Sequence, residues 1–143
     1  MKIVIAADHG GFEFKGPITS SLVAQGVEVE DVGCFTADSV DYPDFAEKAV
    51  ARILNNDCQM GILICGTGIG MSIAANRHRS IRAANCFNVY TARMSREHNN
   101  ANVLCLGARV LDVETAIEMV RVWLNTPFAG GRHQKRIAKL SDE

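Results

Sequence analysis

The chain has 143 residues, 48% of them apolar and 22% charged, with a formal net charge of −1. That length supports one domain with its own core, and the near-neutral balance gives no overall pull toward nucleic acid or a membrane surface. Any anion site must therefore be local. Taken in chain order, apolar runs rich in β-branched residues recur at 2–7 (KIVIAA), 27–32 (VEVEDV), 60–65 (MGILIC), 81–86 (IRAANC) and 102–107 (NVLCLG). Helical periodicity fills the stretches near 12–25, 43–56, 69–78, 89–99 and 112–125, and a basic segment at 132–140 closes the chain.

Strand alternating with helix implies right-handed crossovers. The expected fold is α/β: a Rossmann-like, open, doubly wound sheet of five parallel strands with helices on both faces, in a single domain spanning 1–143. Sheets of this kind bind ligands beyond the carboxyl ends of their strands, where the strand order reverses. The first, third and fifth runs end in ADHGG, CGTGIG and LGARV, so these three tips are expected to converge, with the polar loop 33–42 (GCFTADSVDY) as a further wall. The amino-terminal run meets Asp8 too early for a secretion signal, and no run approaches the ~18 apolar residues of a spanning helix. The expected location is cytoplasmic.

Five cysteines (Cys34, Cys58, Cys65, Cys86 and Cys105), odd in number and without a C-x-x-C pair, point to reduced thiols and away from a disulfide framework or a zinc site. Four of them read as small buried hydrophobes. Cys65 differs, because it ends the third strand at a glycine turn. Gly66, Gly68 and Gly70, with Thr67 and Ile69 between them, allow the backbone to fold tightly and bring its N–H groups toward an anion. The turn has no P-loop lysine, and G-x-G-x-x-G fits neither the first turn nor this one, where position 71 is Met. A turn that merely packs a helix is the alternative. A thiol at the start of a helix faces the positive end of the helix dipole, which favours the thiolate as proton acceptor or as nucleophile; the residues leave both roles open.

Asp8 and His9 leave the first strand together, where they suit either a surface turn or the recognition of hydroxyl and phosphate groups. In SREHNNAN (95–102) the asparagines suit a helix end, and His98 could complement its dipole. The functional alternative makes His98 an acid or base near neutral pH and Asn99 a donor to an oxyanion. In GGRHQKRIAKL, Arg132, Arg136 and Lys139 share one helical face. That face is either a solvated basic surface or, together with Arg109 at the fifth strand tip, a set of guanidinium groups for a small anion.

Read together and in this order, ADHGGFEFK, DYPDFA, ICGTGIGMSIAANR, ARMSREHNNANVLCLGARV and FAGGRHQKRI resemble the ribose-5-phosphate isomerase B family, which includes galactose- and allose-phosphate isomerases. The resemblance covers essentially the whole chain. It implies a metal-independent, cofactor-free aldose–ketose isomerisation of a sugar phosphate through a cis-enediol(ate), with ribose 5-phosphate and ribulose 5-phosphate as the leading pair. Hexose phosphates, or a non-catalytic flavodoxin-like nucleotide-binding module, are the alternatives. Carried over, Cys65 is the base between C1 and C2, Thr67 and the backbone of Gly66 to Gly70 hold the oxyanion, and His98 opens the sugar ring. Asp8, His9 and Asn99 then bind substrate oxygens, and Arg109, Arg132 and Arg136 bind the phosphate. The family's carboxy-terminal helix, here about 132–140, reaches an adjacent subunit, so that a homodimer or a dimer of dimers shares its sites. One departure is Asn100, where relatives often carry aspartate, and the cysteine places the chain with the thiol-using branch.

Overall fold

A computed structural model describes residues 1–141, so the last two positions of the expected domain lie outside the described residues. The strands are β1 (Lys2–Ala7), β2 (Glu28–Asp31), β3 (Met60–Cys65), β4 (Ala83–Asn85) and β5 (Val103–Gly107). The helices are α1 (Phe12–Ala24), α2 (Tyr42–Leu54), α3 (Ile69–Ala75), α4 (Val89–Glu97), α5 (Val113–Asn125) and α6 (Arg132–Ala138). All four strand pairings are parallel, in the order β2-β1-β3-β5-β4. The order reverses between β1 and β3, which is where the ADHGG and CGTGIG tips emerge.

β1, β3 and β5 are buried on both faces, which is why they read as unbroken apolar runs and do not alternate. One face of the sheet packs Ile3, Ile5, Ile62, Ile64, Leu104 and Leu106 against Ile18 and Leu22 of α1, Ala92 of α4 and Met119 and Trp123 of α5. The other packs Val4, Leu63, Cys65, Val103 and Cys105 against Ala46, Ala49 and Val50 of α2 and Met71 and Ala75 of α3.

Helix ends are where sequence periodicity and structure differ. The periodicity ran α3 on to 78, but it stops at Ala75 because the Asn76 amide turns sideways: its Nδ2 donates to Ala83 O (2.9 Å) and its Oδ1 accepts from Ala83 N (2.8 Å). α4 stops at Glu97, not 99, because Asn100 adopts a left-handed conformation (φ 45°) and Ala101 N reaches back to Ser95 O (3.0 Å). α6 ends at Ala138, two residues before the expected 140. Among the described residues, no helix is long and apolar enough to cross a membrane.

Candidate active site

The three strand tips do converge. Asp8 N donates to Ile64 O (3.1 Å), Arg109 N to Gly66 O (3.0 Å) and Ala108 N to Cys65 O (2.9 Å), so the chain leaving β1, β3 and β5 is stitched into one surface. The approach is close enough that a side chain at Gly107 would place its Cβ 2.6 Å from the Thr67 carbonyl group. Gly68 sits at φ 84°, a conformation open to glycine and strained for other residues, and this turns its N–H back onto the Cys65 sulfur at 3.1 Å. An N–H aimed at sulfur stabilises negative charge there. Among the described residues, no protein acceptor takes the N–H of Gly66 or Thr67, which leaves two donors beside the thiol for an oxygen of a bound molecule. The Thr67 hydroxyl is exposed and accepts from Ile69 N (3.2 Å).

Asp8 is only 7% exposed, and its Oδ1 accepts from Gly10 N (2.8 Å) and Gly11 N (3.1 Å). Through these two bonds it shapes the first turn. His9 Nδ1 accepts from Val40 N (3.1 Å), which assigns the ring proton of the neutral form to Nε2 and ties loop 33–42 to the site as the expected wall. The loop is fixed at its other end by Asp31, which accepts from Gly33 N (2.9 Å) and from the buried Lys15 ammonium (2.7 Å). Arg109 lies over the glycine turn: a Cβ on Gly66 would stand 3.1 Å from its Nη1. Tyr42, which sequence reasoning did not single out, covers Gly70 from the α2 side, where a Cβ would come within 2.6 Å of the ring. The signal available for it was the bare glycine opposite an aromatic residue, which only tertiary contact reveals.

His98, Asn99, Arg132 and Arg136 form a second cluster, elsewhere. α4 runs antiparallel to the strands, so His98 at its carboxyl end lies toward the edge where β3 and β5 begin. Asn102 O accepts there from Gly61 N (2.9 Å). Cys65 is four residues further along β3, about 13 Å away at 3.3 Å per residue. His98 and His133 stack with ring centroids 4.3 Å apart and planes inclined by 16°. With Asn99, Arg132, Arg136, Ile137 and Leu140 they line an open cleft of about 410 Å³. Burial first, then the charges of His98, Arg132 and Arg136, push the His133 imidazole below its ordinary pKa. Of the expected site residues, the structure therefore joins Asp8, His9, Cys65, Gly66, Thr67, Gly68, Ile69, Gly70 and Arg109 at one end of the sheet and the remaining four at the other. No group of three or more His, Cys, Asp or Glu side chains suited to a metal ion occurs among the described residues.

Burial raises the pKa of Cys34, Cys86 and Cys105, and burial followed by the nearby Glu30 carboxylate raises Cys58 to about 11.

A family model described as Ribose/Galactose Isomerase matches residues 3–140. The chain is 44% identical over 140 residues to the ribose-5-phosphate isomerase B of Escherichia coli, covering 98% of this chain and 94% of that protein. It is 45% identical over 143 residues to a putative sugar phosphate isomerase of Bacillus subtilis, covering 99% and 96%. Among solved structures it resembles ribose-5-phosphate isomerase B of Clostridium thermocellum (TM-score 0.97, 50% identity, 99% of this chain and 96% of that one). It also resembles the Mycoplasma genitalium enzyme with bound ribulose-5-phosphate (TM-score 0.93, 42% identity, 97% and 93%).

Proposed function

The chain belongs to the ribose/galactose isomerase family, and from that premise we propose that it interconverts ribose 5-phosphate and ribulose 5-phosphate through a cis-enediol(ate). The single observation that carries the chemistry is the Cys65 sulfur receiving the Gly68 N–H beside the uncommitted amides of Gly66 and Thr67. A base and an oxyanion cradle lie side by side.

In this reading His98 donates a proton to the ring oxygen as the C1–O bond of the furanose breaks and the C1 hydroxyl releases its proton, giving the open aldehyde. The Cys65 thiolate then removes the C2 proton, and the electron pair moves through C1 onto the carbonyl oxygen. Returning the proton to C1, with the O2 proton passed to O1, yields the ketose. The charge on oxygen is the largest obstacle, and one preorganised donor is worth about 10²–10³ in rate. The general base adds roughly 10²–10⁴. Arg132, Arg136 and Arg109 hold the phosphate, which is remote from the reacting carbons, so its binding energy orients them. Asp8, His9 and Asn99 hold hydroxyl oxygens.

The two clusters act together when a second copy brings its His98 end to the Cys65 end of the first. What supports this homodimer is the apolar rim at the Cys65 end, where Ile69, Phe87, Tyr90 and Val110 are each more than half exposed. α6 carries the arginines and reaches the neighbour's site, and pairing of dimers is compatible with the same arrangement. Five free thiols support a reducing, cytoplasmic setting.

The test is turnover. The purified chain should convert ribose 5-phosphate to ribulose 5-phosphate, and a panel including allose and galactose 6-phosphates fixes the chain length it accepts. Turnover of a hexose phosphate alone would overturn the pentose assignment, and inactivity on every sugar phosphate would overturn the isomerase reading.

A further inference from the structure

The segment from His98 to Ala101, which joins α4 to β5, is held from behind by two arginines that no step above uses. Arg82 Nε donates to Asn99 O (3.0 Å) and Asn100 O (3.2 Å), and its Nη2 donates to Asn100 O (3.1 Å). Arg96 Nη1 donates to Asn100 Oδ1 (2.9 Å) and Ala101 O (2.6 Å), while its Nε donates to Thr126 O (3.3 Å). The Arg96 guanidinium also lies 5.9 Å from the Trp123 ring centre, which fixes it to the buried face of α5. Three consecutive carbonyls, of Asn99, Asn100 and Ala101, are therefore taken by side chains. They stand where a helix ends and its last carbonyls lack intrahelical partners.

Asn100 is the pivot of this arrangement. Its positive φ of 45° redirects the chain, its carbonyl serves Arg82 and its side chain serves Arg96. Asparagine tolerates that conformation better than most residues. Every one of these acceptors is a neutral carbonyl or amide oxygen, although both guanidinium groups are partly buried. Burial lowers both arginine pKa values, helped at Arg96 by the adjacent Arg82 charge. Two cations held so close together, at the expense of solvation, fix a backbone more firmly than solvent-facing polar groups would.

We propose that Arg82 and Arg96, acting through Asn100, are positioning residues for ring opening: they fix the backbone from which His98 presents its imidazole to the cleft. The stack on His133 sets the plane of the ring, and the arginines set the point from which it hangs. The inference rests on His98 being the proton donor of the proposed isomerisation. A misplacement of about 1 Å can lower a rate by roughly a hundredfold.

Ribulose 5-phosphate provides the discriminating probe. Its C5 oxygen is esterified, so it cannot close a furanose ring, and exchange of its C1 proton with solvent deuterium needs the Cys65 base but no ring opening. Arg82→Lys and Asn100→Gly should lower kcat on ribose 5-phosphate by about tenfold to a hundredfold, with KM and C1 exchange within about threefold of the parent. Asn100→Gly keeps access to positive φ and removes only the side-chain acceptor of Arg96, leaving its bonds to Ala101 O and Thr126 O, so it decides the matter if Arg82→Lys does not fold. Asn100→Asp restores an acceptor and should restore turnover. The proposal is overturned by parental kcat in Asn100→Gly, by equal losses in turnover and exchange, or by Asn100→Asp falling as far as Asn100→Gly. A parent that shows neither turnover nor exchange would instead bring down the isomerase reading itself.

Discussion

Mixing two inactive variants, Cys65→Ser and His98→Asn, should restore activity that neither has alone. Serine at 65 still offers an acceptor to the Gly68 N–H, so the turn is kept, but its hydroxyl does not ionise near neutral pH and the base is lost, at about 10²–10⁴ in rate. Asparagine at 98 keeps a polar side chain and removes the proton donor. His98 lies toward the edge where β3 begins and Cys65 at the end of that strand, about 13 Å beyond Gly61 along it, too far for one small substrate to meet both within a single chain. In a twofold dimer that exchanges subunits freely, half the molecules are mixed. Each mixed molecule has one site with both lesions and one with neither, so the mixture should recover about one quarter of parental activity. The assay is ribulose 5-phosphate formation after co-refolding, with mixed dimers identified by a mass or affinity label on one variant. A mixture as inactive as its components, although mixed dimers have formed, would refute the shared site and place both groups in the service of their own chain.

Arg136→Ala should raise KM for ribose 5-phosphate more than it lowers kcat, because a charge-assisted bond of about 1.5–3 kcal/mol to the phosphate is present before and during the chemistry; equal effects on both parameters would argue for a different role. Gly107→Ala should lower stability by about 1–3 kcal/mol in denaturant unfolding, since its Cβ would stand 2.6 Å from the Thr67 carbonyl group, and an unchanged midpoint would mean that the turn yields freely. Glu30 is held below the ordinary carboxylate range chiefly by its hydrogen bonds from Arg52 at 2.6 and 2.8 Å. A depressed carboxylate contributes stability above its unfolded pKa and loses it as pH falls through the folded value. Arg52→Met should therefore lower the melting temperature at neutral pH, with the difference shrinking in acid; a gap that stays constant on acidification would show that the ion pair is not its cause.

The alternation of β-branched runs with amphipathic stretches determined the fold class and the number of strands, because strand and helix bury apolar side chains at different periods and each run is long enough to declare its own. It also located Cys65 and its glycines, since a tight turn after a buried strand needs residues that the local sequence must supply. Helix ends were misplaced where a single side chain settles them, as Asn76 does by pairing with Ala83 at the start of β4, a side-chain-to-backbone contact that hydrophobic periodicity does not encode. The division of the site is likewise tertiary. SREHNNAN and CGTGIG read equally well as parts of one pocket, and only the antiparallel course of α4 sends His98 to the far edge. Neither Arg82 nor Arg96, the latter inside SREHNNAN, stood out in the sequence, because most of their partners are backbone carbonyls, which every residue has and which only folding brings within reach.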